Sequence, residues 1–463
     1  MVNFFRWICR FNFGDFEVEE FKKFVRMGFI FFIIVGVYWT LRPLKDSVFI
    51  QLVDRLQLPY AKTVSLLALI PMVMFYTKLL EKKSKERMFY ILSVFYGISI
   101  AFFGCLMLFV QAPADVIAQR SMLPYICTKV VGYVFYFFVE SFGSLFIASL
   151  FWAFSASVTI PESAKRGFPL IYALGQLGGI LCPYPIGGLP HRIGLRTDAL
   201  ALFCLATLVI LVIPLFKHLL KATPKDLLYA FHGKNEETVE NKQEPGFLEG
   251  LKLLLKHKYL LGIFSVNFIY EFLVTIFDFN FKIAAGGQYS GVALSNYLSL
   301  YGSSVNIVSL LCLLLGISNV TRFLGLSVAL AAMPIILGCA LFGFLTLNSL
   351  SFLFVLMVGA KAINYALNGP TLKQLYIPTT PDVRFKAQAW IETFGSRTSK
   401  ETGSIFNMSL APLQSFFGTV AGHTRYLWAS GILGFPLLVM WFGAALFLGR
   451  TCKKAVQDKN VVC

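Results

Sequence analysis

Several ionisable residues of this 463-residue chain lie inside long apolar runs, at spacings that put them on shared helix faces. Arg42, Lys45 and Asp46 follow i, i+3, i+4 and share one face. Glu271, Thr275, Asp278 and Lys282 follow i, i+4, i+7, i+11 and form a second stripe. Glu140 is flanked by Phe137, Phe138, Phe142 and Gly143, with Lys129 three turns earlier on the same face. Further on, Lys361, Tyr365 and Asn368 make a third stripe, and Arg397, Lys400, Ser404 and Asn407 a fourth. An ionised side chain at the centre of a spanning helix costs roughly 2.5 to 3.5 kcal/mol, so such groups should face one another or an aqueous cavity. Cavity cations that outnumber carboxylates suit a ligand with several negative charges, because ammonium and guanidinium groups are the usual phosphate partners. The chemistry indicated is polyanion binding. Each stripe also has a plainer reading: a snorkelling helix end for Arg42 to Asp46 and for Lys282, a structural interhelix pair for Glu140, a juxtamembrane surface helix around Arg397.

The elements that must carry these residues are membrane spans. Hydrophobic residues make up 57% and charged residues 14% of the chain, and the mean hydropathy is +0.70, beyond what a soluble domain can hide in one core. Runs of about 18 or more apolar residues recur from Val25 to Phe447, the length needed to cross a hydrocarbon core. Twelve spans are predicted, starting near Phe24, Ala61, Met88, Pro124, Ser163, Asp198, Tyr259, Ala293, Arg322, Asn348, Ile391 and Tyr426. The net charge of +17 reflects basic loops and does not imply nucleic-acid binding. Lys78 to Arg87, Lys165 with Arg166, Lys217 to Lys258, and Lys453 with Lys454 all fall on one side if both termini are cytoplasmic.

The polar stretch from His218 to His257 divides six spans from six. The predicted organisation is an interfacial segment over residues 1–23, read as mature sequence, a six-helix half over 24–217, a cytoplasmic linker over 218–257, a second six-helix half over 258–450 and a cytoplasmic tail over 451–463. The fold class is therefore an all-α membrane protein with twelve transmembrane helices in two halves, similar to the major facilitator architecture, whose solute site lies near the bilayer midplane.

Nothing in the pattern calls for catalysis, a metal or a cofactor. The nine cysteines are scattered inside apolar runs without a C-x-x-C pair, and the five histidines fall in predicted loops or span ends. No G-x-x-x-x-G-K-[ST] loop occurs, so a nucleotide would be cargo and not fuel. Gly175, Gly178 and Gly179 in span five read as close helix packing. Tyr133, Tyr136, Tyr297, Tyr301 and Tyr365 could stack a base, although any one tyrosine is more often packing. The loop from Glu81 to Arg87 lacks the signature of ordinary major facilitators.

Four motifs in order resemble the ATP/ADP translocase family of plastids and obligate intracellular bacteria. Leu41-Arg42-Pro43-Leu44-Lys45-Asp46-Ser47 is similar to its first-span motif. Glu140-Ser141-Phe142-Gly143-Ser144, followed by Leu150 to Phe154, is similar to its fourth-span elements, and Asp278-Phe279-Asn280-Phe281-Lys282 to its seventh-span motif, with Asp for Glu and Phe for Trp. Pro370 to Gly403 is the longest match, through Lys373, Tyr376-Ile377-Pro378, Lys386, Gly395-Ser396-Arg397 and Lys400. The resemblance implies a monomeric nucleotide exchanger in the lipid of a bacterial inner membrane, with ATP and ADP as substrates. It implies binding roles for Lys45, Glu140, Asp278 and Lys373. Arg42, Lys282, Arg397 and Lys400 complete the expected substrate-binding set. Proton-coupled nucleotide import on the same fold remains open, with Glu140 as the carboxylate whose aromatic surroundings favour a proton. A membrane enzyme or a lipid-handling protein is the reading from another class.

Overall fold

A computed structural model of the chain describes residues 17–110, 122–159, 161–228, 247–314, 325–347, 349–376, 378–380, 387–388, 390–391, 395–458 and 462. Most of the N-terminal interfacial segment, the centre of the 218–257 linker, and Arg384, Lys386 and Glu392 lie outside the described residues. Every regular element among the described residues is helical. Numbered by span, the long helices are α1 (Val18–Leu52), α2 (Leu58–Lys82), α3 (Lys85–Val110), α4 (Met122–Phe142), α5 (Pro161–Leu181), α6 (Ala199–Ala222), α7 (Lys258–Gln288), α8 (Gly291–Leu314), α9 (Leu326–Thr346), α10 (Leu350–Ile363), α11 (Ser396–Met408) and α12 (Thr419–Gln457).

Ten helical segments among the described residues are long and apolar enough to cross a membrane. The two expected spans missing from that set show why. Helix α8 carries Ser295, Asn296, Ser299, Ser303, Ser304 and Asn306, which lower its hydropathy without breaking it. Helix α11 has 13 residues and is followed by a separate helix, Leu410–Phe417. The chain is a multi-pass, all-α integral membrane protein. The two largest shifts of a helix start are at α1 and α12. Helix α1 begins at Val18, six residues before the expected Phe24, because Lys23 is taken into the structure: its ammonium donates to the Val158 carbonyl and, at 2.8 Å, to the Leu227 carbonyl. Helix α12 begins at Thr419, where Gly418 at φ 83° turns the chain in a conformation that favours glycine.

The described chain forms two compact units. The first comprises residues 1–55, 64–239 and 286–306, and the second 56–63, 240–285 and 307–463. In the first, α1 packs mainly on α5, and α3 on α6. A methyl group at Gly178 would sit 2.1 Å from the Phe32 carbonyl oxygen, so the span-five glycines serve close helix approach. The first part of α8 docks here through its polar face. The Ser295 hydroxyl donates to Asp198 at 2.9 Å and meets the Ser47 hydroxyl at 2.7 Å, and Asn306 donates to the Gly179 carbonyl at 3.1 Å. In hydrocarbon such groups need protein partners, which is why a polar face here buries against other helices. In the second unit α9 packs mainly on α12.

Candidate functional site

Among the described residues each unit carries a buried charge cluster that includes expected site residues, and helix irregularities lie beside both. In the first unit Pro43 stands inside α1 and cannot donate to the Trp39 carbonyl, which loosens the helix one turn before the charged residues. Lys45 is 4% exposed. Its Nζ lies 2.6 Å from Glu140 Oε1, 3.5 Å from Asp46 Oδ1 and 3.8 Å from the centroid of the Tyr136 ring. Three residues past Glu140 the chain leaves α4 for a π-helical stretch, Gly143–Phe151, a geometry often found at functional sites. Gly143 is needed there, since a methyl group would meet the Tyr38 ring at 2.4 Å. The Glu140 side chain is 40% exposed against 5% for Lys45, so the cluster presents a carboxylate and withdraws its ammonium. Arg42 is half-buried, with its guanidinium 5.4 Å from the Trp39 ring centroid.

In the second unit the spacing of four between Asp278 and Lys282 brings Nζ to 2.6 Å of Asp278 Oδ2. Two further lysines arrive from elsewhere in the chain. Lys361 donates to Asp278 Oδ1 at 2.8 Å, and Lys62 lies 3.8 Å from Oδ2. Lys361 sits in the last turn of α10, where a second π-helical stretch, Asn364–Asn368, follows. Lys62 is brought in because the short 56–63 segment belongs to this unit and its neighbour Thr63 donates to Glu401. The opposite face of α7 is held by a polar chain. Asn280 donates to the Tyr426 hydroxyl at 3.2 Å, Tyr426 donates to Asn407 at 2.6 Å, and Asn407 donates back to the Thr275 carbonyl at 3.2 Å.

The remaining expected residues are placed differently. Lys400 lies 3.4 Å from Glu271, which also accepts from Ser396 at 3.2 Å, and its side chain is 53% exposed. Arg397 and Lys373 are exposed. Of the tyrosines considered for base stacking, Tyr136 is fully buried and its face is taken by Lys45, whereas Tyr365, one turn past Lys361, is 41% exposed. Sequence reasoning missed Lys62 entirely and did not join Lys361 to Asp278. The only signal was an isolated lysine near the start of span two. No group of histidine, cysteine and carboxylate side chains suited to a metal occurs among the described residues.

One carboxylate under three ammonium groups leaves an excess of positive charge in a poorly hydrated setting. Comparison with known proteins agrees with a carrier. A family model described as TLC ATP/ADP transporter matches residues 8–451. The chain is 24% identical to ADP,ATP carrier protein 1 of Rickettsia prowazekii (strain Madrid E), over 96% of each chain. It is also 24% identical to the plastidic ATP/ADP-transporter of Solanum tuberosum, over 97% of this chain and 76% of that one. Among solved structures, a D-xylose-proton symporter aligns with a TM-score of 0.57 at 14% identity, covering 93% of this chain and 96% of its own. The nucleoside transporter NupG aligns with a TM-score of 0.57 at 13% identity, over 92% and 99%. These likenesses establish the major-facilitator fold.

Proposed function

The chain belongs to the TLC ATP/ADP transporter family, and from that premise we propose that it exchanges ATP for ADP by alternating access, holding the phosphate chain on Lys62, Lys282 and Lys361. The observation that carries the reading is the convergence of these three ammonium groups on the single carboxylate of Asp278, at 2.6, 2.8 and 3.8 Å. Ammonium groups shielded from bulk water attract phosphate far more strongly than the same groups on a wetted surface. The first unit has a different part. Lys45 is buried against two carboxylates, so we assign it to orienting the half-exposed Glu140 within that unit.

Exchange is favoured over proton coupling by the same geometry. Glu140 and Asp278 both already face lysine, and swapping one nucleotide anion for another leaves that arrangement intact. The protein acts as a monomer in the inner membrane of an intracellular bacterium, with both termini and the 218–257 linker cytoplasmic. The basic loops and the rickettsial relative support that placement. A cysteine introduced at Asn235 in a cysteine-free background resists impermeant thiol reagents applied outside intact cells, and ready labelling there contradicts the topology.

The test of function is uptake of labelled ATP into vesicles reconstituted with the protein. Internal ADP strongly stimulates entry, and a protonophore at clamped membrane potential leaves it unchanged. Full uptake into empty vesicles that collapses with the proton gradient overturns exchange in favour of proton coupling.

A further inference from the structure

Asp278 stands at the centre of the cations that, on the reading above, hold the phosphate chain, and its position there needs its own explanation. Its two oxygens divide the lysines: Oδ1 takes Lys361, and Oδ2 takes Lys282 and Lys62. The lysine side chains are 9%, 12% and 24% exposed, so salt screens this cluster less than a surface one. A phosphate brought among the three ammonium groups is also brought toward the carboxylate, which repels it.

ATP and ADP share the same nucleoside and differ by one phosphate and the charge it carries. Hydrogen bonds to the base and ribose are common to both and cannot tell them apart. Discrimination must come from the third phosphate, through its charge and the contacts it makes. Three lysines alone would favour the more highly charged nucleotide and hold it after translocation. An exchanger must instead load and release both at comparable concentrations. A fixed negative charge inside the cluster subtracts from the attraction of every phosphate, and subtracts more from the ligand with more charge.

Resting on the phosphate reading, we propose that Asp278 is a specificity-determining residue that sets the charge of the lysine cluster and levels the affinities for ATP and ADP. Helix α7 supplies the rigidity it needs, because the Asn280–Tyr426–Asn407 chain holds the opposite face of that helix.

The experiment is a charge ladder. Equilibrium dissociation constants for ATP and for ADP are measured on the purified full-length protein at low salt, for the wild type and five variants. Asp278→Asn raises the cluster charge by one, Lys361→Gln and Lys62→Gln each lower it by one, and Asp278→Glu and the double variant Asp278→Asn/Lys361→Gln leave it unchanged. For unit charges a few ångströms apart in a partly screened site, the ratio Kd(ADP)/Kd(ATP) rises roughly tenfold in Asp278→Asn and falls by a similar factor in Lys361→Gln. It falls less in Lys62→Gln, whose lysine is the most distant and most exposed of the three. The two charge-neutral variants stay within about twofold of the wild-type ratio, and high salt compresses the whole ladder. Should one variant fail to fold, the remaining steps still give the slope. A wild type that binds both nucleotides with a ratio that stays flat along the ladder overturns this inference alone. A wild type that binds neither overturns the phosphate reading and this inference with it.

Discussion

The two charge clusters are near-opposites. In the first unit one lysine, Lys45, serves two carboxylates, Asp46 and Glu140; in the second, one carboxylate, Asp278, serves three lysines. The first turns its carboxylate outward, with Glu140 40% exposed over a buried lysine. The second gathers ammonium groups at one point. Charged stripes that look alike on apolar helices therefore differ in the sign they offer a ligand, and the neighbours from other helices decide it. On the proposed reading, the second cluster is the one that attracts a polyanion.

Substitutions sharpen that contrast, and the largest effect belongs at Lys282. Lys282→Gln removes the shortest of the three lysine contacts to Asp278 and, on the reading above, one of the ammonium groups that hold the phosphate chain. ATP uptake should fall by about two orders of magnitude or more. Lys45→Gln comes next. Glu140 is exposed enough for water to replace part of what it loses, so uptake should drop by about tenfold to a hundredfold while folded protein is retained. Rescue of Lys45→Gln by Lys45→Arg would agree with a role in orienting the carboxylate. Lys62→Gln, at 3.8 Å and 24% exposed, should cost only a few-fold, on the order of 1 kcal/mol. Lys400→Gln should be smallest. Its pair with Glu271 spans 3.4 Å with the lysine 53% exposed, and surface pairs contribute about 0 to 1 kcal/mol, so uptake should stay within about fivefold. An order in which Lys400→Gln outranks Lys282→Gln in uptake assays would break the contrast between the clusters.

What was legible in the sequence follows physical range. The pairing of Asp278 with Lys282 is a property of helix geometry four residues apart, and needs no tertiary knowledge. The span-five glycines were readable as helix packing because no strand precedes them, and Gly178 does pack against Phe32 backbone. The all-helical membrane class followed from composition and run length, and the family from ordered motifs along the chain. Contacts between helices distant in sequence were not legible. Lys62 reaches Asp278 only because the start of α2 belongs to the second unit, and no local pattern encodes that. Lys361 was visible on a stripe of its own, but its partner lies 83 positions away. Spacing along α1 also does not reveal the Glu140 carboxylate and the Tyr136 ring packed against Lys45. The span from Ala293 was legible despite its polar residues, but the partners of Ser295 and Asn306, namely Asp198, Ser47 and the Gly179 carbonyl, were not.

The contrast between the clusters rests on where phosphate binds, and that can be measured without a nucleoside. Binding of inorganic tripolyphosphate to the purified full-length protein, followed by calorimetry at low salt, isolates the anion from the rest of the substrate. Wild type should bind it, Lys45→Gln should bind it within about threefold of wild type, and Lys282→Gln should weaken it by about a hundredfold, near the scale of a lost charge-assisted contact. Tripolyphosphate binding that survives Lys282→Gln but is lost in a well-folded Lys45→Gln protein would contradict the account and move the phosphate site to the first unit.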